Sequence, residues 1–324
     1  MKNIAILYTG GTIGMKAGVH GLTPDADFPA RAAPVLQEHL HATWYVSEPL
    51  IDSAAVTPQD WAQWIALTEK LLAQYDGVLI LHGTDTMAYS ATLFASVFAG
   101  SLKPIVFCGA QHPWGAPHGD AERNLQAACA LFDSDFHGTG IVFADTLFDP
   151  ADCRKISTER AQGFAAVYRP PLGNYSGEWQ LFRQPLSVLP PPSFTSINDQ
   201  LNIAACTLMP GYSLQTLIRT LEDPRCDAVI LHSYGHGNTP DTPEFIAAVR
   251  RFCAQDKVLL NLSQVWHGDA SARYAQNHAL TAAGALNGGQ TTPEHALALL
   301  SVALSSGLNG QALHSYLRQG LQAA

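Results

Sequence analysis

Two apolar runs in this chain each break off into glycine and threonine, and that repeated pattern limits what it can fold into. Residues 4–7 lead into Tyr8-Thr9-Gly10-Gly11-Thr12-Ile13-Gly14, and residues 78–81 lead into His82-Gly83-Thr84-Asp85-Thr86-Met87. A short continuous apolar run closed by turn residues reads as a strand buried on both faces, the kind found in parallel sheets. In open sheets of that kind, ligands bind at the carboxyl ends of the strands. Two strand ends carrying hydroxyls, a carboxylate and uncovered backbone amides therefore predict one polar pocket. Phosphate is not its obvious guest. The first loop lacks the Walker lysine, and Gly10, Gly11 and Gly14 do not have dinucleotide-binding spacing.

Strand candidates at residues 4–7, 43–47, 78–81, 105–107 and 140–143 alternate with helix candidates at 58–74, 86–99 and 124–132. Within 58–74, Thr57 is placed to cap, Pro58 suits the first turn, and Trp61, Trp64, Ile65, Leu67, Leu71 and Leu72 form a broad apolar face. Such alternation predicts an α/β fold: a mostly parallel sheet flanked by helices. The pattern lapses where Pro185, Pro190, Pro191 and Pro192 crowd together, which reads as a semi-rigid linker. It resumes with strands at 203–208, 228–231 and 258–262 and helices at 211–221, 242–254 and 292–305. The expected organisation is a larger N-terminal catalytic α/β domain (1–184), a proline-rich linker (185–201) and a smaller C-terminal α/β domain (202–324). A length of 324 residues suits two cores better than one.

Composition excludes several classes. A net charge of −9 makes nucleic acid and anionic membrane surfaces poor partners. No stretch approaches the ~20 apolar residues of a membrane helix, and the opening run is too short for a signal-peptide core. Cys108, Cys129, Cys153, Cys206, Cys226 and Cys253 are scattered without C-x-x-C spacing, and read as reduced structural thiols. His39 and His41, His112 and His118, and His232 and His236 are close in sequence, but none lies in H-E-x-x-H, so no metal is expected.

The TGGTIG and HGTDTM segments, in this order and separation, resemble the signature segments of the bacterial L-asparaginase family of amidohydrolases. Cys108-Gly109-Ala110-Gln111, the stretch from Gly119 to Leu125, and Ser233-Tyr234-Gly235-His236-Gly237-Asn238 are also similar to family segments, so the resemblance spans essentially the whole chain. It implies hydrolysis of the L-asparagine side-chain amide without a cofactor, in a homodimer or homotetramer. The absence of a leader resembles the cytoplasmic branch. Thr12 is implied as nucleophile, with Thr84, Asp85 and Lys155 as its activating set and a bound water able to lie between them. Lys155 is matched by its spacing from Phe164, and Arg154 is the competitor one residue away. Gly11, Ser53, Thr84, Asp85, Ala110 and Asn238 are implied in substrate binding: Asp85 for the α-ammonium, Ser53 for the α-carboxylate and Ala110 through its carbonyl. Asn238 would face a partner subunit's site, unless it merely forms an Asx-turn. The family's lid tyrosine falls at Leu22, which cannot donate that hydrogen bond: either Thr23 or His20 substitutes, or turnover is slow. The effector-site positions that some relatives fill with arginine and cysteine are His232 and Val265 here. Two other classes share parts of this reading, an amino-acid sensor without turnover and a subunit of a tRNA-dependent amidotransferase.

Overall fold

The structure is a computed structural model and describes residues 1–18, 21–37, 40–186, 190–191, 193–271 and 275–323. Pro192, His20 and His39 lie outside the described residues. The chain divides into two compact units, Met1–Leu189 and Pro190–Ala324.

In the first unit, eight strands among the described residues form one sheet. Five are parallel neighbours, in the order Leu40–Val46, Lys2–Tyr8, Gly77–Leu81, Pro104–Cys108 and Gly138–Phe143. Thr146–Phe148, Gly173–Tyr175 and Trp179–Leu181 extend the sheet antiparallel. The apolar runs alternate faces with the pleat. Ile4, Ile6 and Tyr8 join Leu79, Leu81 and Val106 in a core with Phe28, Ala32 and Leu36 of helix Phe28–Gln37 and Leu125 of helix Ala121–Ala130. Ala5, Leu7, Val78, Ile80 and Phe107 are also fully buried, on the opposite pleat. Phe107 meets Phe94 of helix Met87–Val97 edge-on at 5.2 Å. Each such side chain contributes ~1.5–3 kcal/mol when fully buried.

Helix Pro58–Gln74 has the expected bounds because its start is specified locally. The Thr57 hydroxyl accepts from Asp60 N–H, and the Asp60 carboxylate accepts from Thr57 N–H at 2.8 Å, closing a capping box. Trp61, Trp64, Ile65 and Leu71 are buried, while Leu67 and Leu72 are half-buried at its margin. Helix Phe28–Gln37 was not expected, and Pro34 in its interior argues against a helix there. Its Phe28 packs on Tyr8, Trp44 and Trp114, and tertiary burial overrides the local preference.

The second unit has a parallel sheet in the order Ile203–Thr207, Ala228–Ser233, Val258–Ser263 and Leu286–Asn287. Helices Ser213–Glu222, Pro243–Cys253 and Pro293–Ser305 lie where the periodicity placed them. Helix Gly310–Ala323 was missed, although Leu313, Tyr316 and Leu317 are buried at helical spacing. The described part of 185–201 carries no helix or strand. Leu186 N–H is held by Asp149 in the first unit, whereas Ser193 and Asn198 bond to Ser306 and Ser305 in the second.

None of the six cysteines forms a disulfide. No described helix is long and apolar enough to cross a membrane. Among the described residues, no cluster of three or more His, Cys, Asp and Glu is able to hold a metal.

Candidate active site

The sheet register brings the loops that carry Thr12, Ser53, Thr84, Asp85 and Ala110 to one end of the sheet. Tyr8 pairs with Val46 and Leu81, and Leu81 pairs with Cys108, so four strands end level. The chain also reverses its winding here: from Lys2–Tyr8 it passes to Leu40–Val46 on one side, then to Gly77–Leu81 on the other. A crevice opens at such a reversal. The loops carrying Thr12, Ser53, Thr84 with Asp85, and Ala110 all emerge there.

Backbone contacts lock these loops together. Thr9 N–H donates to Leu81 O at 3.0 Å, Ile51 N–H to Thr9 O at 2.9 Å, and His82 N–H to Cys108 O at 2.9 Å. Gly11 has φ 90°, and a Cβ on it would lie 2.4 Å from the Gly83 backbone. A Cβ on Gly83 would in turn strike Ser53 Oγ at 2.5 Å. The two glycines are what let the first signature loop and the Ser53 loop close on the second.

Thr12 opens a 3₁₀ turn, Thr12–Gly14, and is half-buried. The buried Ile13 anchors this turn, and its carbonyl accepts from Trp114 N–H at 3.1 Å. Lys155 Nζ donates to Thr84 Oγ1 at 2.7 Å and to Asp85 Oδ1 at 2.5 Å. The Asp85 side chain is more than half exposed. Asp85 N–H donates to Ser53 Oγ at 3.3 Å, and Thr86 Oγ1 donates to Ser53 O at 2.7 Å. The Ser53 hydroxyl accepts one bond and keeps its own proton to donate.

Lys155 arrives on a hairpin that sequence periodicity did not reveal, Cys153–Lys155 paired antiparallel with Phe164–Ala166. Lys155 sits directly opposite Phe164, and Phe164 packs on Phe143 at 5.0 Å. Adjacent strand residues face opposite ways, so Lys155 and Arg154 cannot both reach Thr84. The structure puts Lys155 there. Gln111 Nε2 ties the hairpin loop down by donating to Ser157 O at 3.0 Å.

Ala110 is buried at the end of Pro104–Cys108. Asp120 accepts from Gln111 and His112 N–H, both at 2.9 Å, and Asn124 Nδ2 donates to Gly109 O at 3.0 Å. Asp120 and Asn124 lie in the stretch from Gly119 to Leu125 that resembles a family segment. Here they fix the loop that carries Ala110. Asn238 belongs to the second unit, in a tight turn where its N–H donates to Tyr234 O at 2.7 Å. Its Oδ1 is buried and accepts no hydrogen bond among the described residues, which disfavours the Asx-turn.

The lid segment is a hairpin, Met15–Gly18 with Gly21–Pro24, in which Leu22 lies opposite Ala17 and is 47% exposed. The Thr23 hydroxyl is turned to Lys16 O at 3.5 Å. The buried Asp25 holds the base of the hairpin, pairing with Lys16 and Arg31. The Lys16 hydrogen bond does most to keep its carboxyl below the usual carboxylate range. In the second unit His232 lies 3.3 Å from Thr207 Oγ1, and Val265 is exposed.

His82, buried beneath the second signature loop, has its pKa pushed down to about 4 by desolvation. The unfolded chain binds a proton near pH 6.5 that the folded chain refuses until about 4. Stability is therefore expected to fall as pH drops through this window, by up to ~3 kcal/mol from this group. Denaturant titrations at pH 7 and 4.5, on wild type and His82→Asn, check it. An equal acid loss in both proteins would rule out His82 as the source.

An open parallel sheet with hydroxyls, a carboxylate and a lysine gathered where its winding reverses defines an α/β enzyme with a strand-end active site. Comparison with known proteins gives the family. Residues 3–187 match the model described as Asparaginase, N-terminal, and residues 202–317 match Glutaminase/Asparaginase C-terminal domain. The chain belongs to the asparaginase family of amidohydrolases. It is 28% identical to L-asparaginase 1 of Escherichia coli K12, over 99% of this chain and 97% of that protein. The crystal structure of L-asparaginase I from Vibrio cholerae superposes with a TM-score of 0.86 at 29% identity, covering 98% of this chain and 97% of that one. A mouse 60 kDa lysophospholipase is 27% identical over 94% of this chain and 58% of its own length.

Proposed function

We propose that this protein hydrolyses the side-chain amide of L-asparagine to L-aspartate and ammonia through a threonine acyl-enzyme. The observation that carries the reading is the bonding of Lys155 to both Thr84 and Asp85 at the strand ends that also carry Thr12 and Ser53. Thr12 Oγ attacks the amide carbon, ammonia leaves with a proton, and water then cleaves the ester to release aspartate. Thr84, Asp85 and Lys155 supply the proton-handling surroundings, with water able to lie between them and Thr12. The Asp85 carboxylate receives the α-ammonium. Ser53 donates its free proton to the α-carboxylate, Ala110 O takes the amide N–H, and Gly11 shapes the floor. Asn238 completes the site of a neighbouring subunit, in a cytoplasmic homodimer or homotetramer. Sedimentation velocity tests the assembly, and a monomer at micromolar concentration would remove that role.

A coupled ammonia assay with asparagine, glutamine and other small amides tests the reading. Comparable rates with glutamine would favour a broader asparaginase/glutaminase. Binding of asparagine without ammonia release would favour a sensor.

The lid gives a separate expectation. Leu22→Tyr restores the hydroxyl that family lids carry and, if the hairpin closes over Thr12, should raise kcat by part of the ~10²–10⁴-fold that a positioned proton-transfer group supplies. Slow product release would cap the gain. No rise in Leu22→Tyr, together with a collapse in Thr23→Val or His20→Ala, would mean the donor has moved to that residue.

A further inference from the structure

A chain of buried hydrogen bonds runs from two helices into the second signature loop, and none of its members is used in the chemistry above. Trp61 Nε1, on Pro58–Gln74, lies 2.8 Å from Ser90 Oγ on Met87–Val97. Ser90 Oγ lies 2.9 Å from His82 Nε2, and His82 Nδ1 lies 2.8 Å from Gly83 O. The direction of every bond follows from the two ends. An indole N–H only donates, so Ser90 accepts from Trp61 and spends its own proton on His82 Nε2. A carbonyl only accepts, so His82 Nδ1 carries the ring proton. The imidazole is held as one neutral tautomer. Trp64 and Phe107 pack against the ring at 5.5 and 6.0 Å between centroids.

We infer that His82 is a positioning residue that sets Thr84 and Asp85 against Lys155 by fixing the Gly83 carbonyl. The peptide from Gly83 to Thr84 is planar, so holding its C=O also fixes the direction of Thr84 N–H and the entry into Thr84 and Asp85. On its other side Gly83 is trapped between Gly11 and Ser53, and the peptide is clamped from both directions. A displacement near 1 Å at reacting groups costs on the order of 10²-fold in rate. The inference rests on the function proposed above, in that Thr84 and Asp85 are taken as working groups.

His82→Asn and His82→Gln separate positioning from filling. The asparagine amide nitrogen takes the place of Nδ1 and donates to Gly83 O, whereas that of glutamine takes the place of Nε2 and reaches Ser90 instead. The expectation is that His82→Asn keeps kcat within about threefold, while His82→Gln loses 10- to 10²-fold in kcat with KM nearly unchanged. Ser90→Ala, which frees the ring proton to move, should lose several-fold in kcat. Equal kcat in the asparagine and glutamine variants, or losses that follow Tm alone, would overturn the inference. Two measurements hold even for a wild type that releases no ammonia, a result that would sink the function and not the positioning. Imidazole ¹⁵N spectra should show His82 protonated at Nδ1 at neutral pH. Backbone amide spectra should show Thr84 and Asp85 shifted in His82→Gln and near wild type in His82→Asn. Protonation at Nε2, or unmoved Thr84 and Asp85 signals in His82→Gln, would refute it.

Discussion

Thr12→Ala is expected to lower ammonia release from asparagine by at least ~10³-fold, equivalent to ~4 kcal/mol of transition-state stabilisation. The substitution deletes the atom proposed to form the covalent bond. It should leave the fold intact, because the turn is held by backbone groups and by Ile13. Gly14 N–H donates to Gly11 O at 3.2 Å, and Ile13 O accepts from Trp114 N–H. The rival nucleophile is Thr84, whose hydroxyl is the one bonded to Lys155. Mass spectrometry of the quenched reaction decides between them by showing which threonine carries the aspartyl ester. Near wild-type turnover in Thr12→Ala, or an adduct confined to Thr84, would dismiss Thr12.

Lys155→Met should be nearly as severe, with a kcat loss of ~10²–10⁴-fold and a smaller change in KM. Methionine keeps most of the side chain's bulk but removes the ammonium shared by Thr84 and Asp85. The loss is of proton handling more than of substrate affinity, because Asp85 remains to receive the α-ammonium. Arg154→Met is the control, since neighbouring strand positions face opposite ways. A silent Lys155→Met beside an inactive Arg154→Met would mean that the working cation is the arginine.

Residue chemistry and local patterning made much of this legible. Strands buried on both faces must be apolar without interruption, so Lys2–Tyr8, Gly77–Leu81 and Pro104–Cys108 were visible as runs, and their ends were marked by glycine and threonine. Helix Pro58–Gln74 was visible because its cap is written within four residues. The short pieces were not. Thr146–Phe148, Gly173–Tyr175 and Trp179–Leu181 are three residues each, too short for a period, and are held by pairing with distant strands. Lys155 entered only through resemblance, because its hairpin is equally short.

By itself the sequence determined which strand ends would be polar, which residue types would stand on them, and that two α/β units would carry them, since burial and turn chemistry act on neighbours along the chain. Tertiary structure alone decided which of those groups touch. Lys155 meets Thr84 and Asp85 across about 70 residues, and His82 finds Ser90 on one helix and, through it, Trp61 on another. A buried polar group must find its partner wherever the packed core presents one, and that requirement leaves no periodic trace in the sequence.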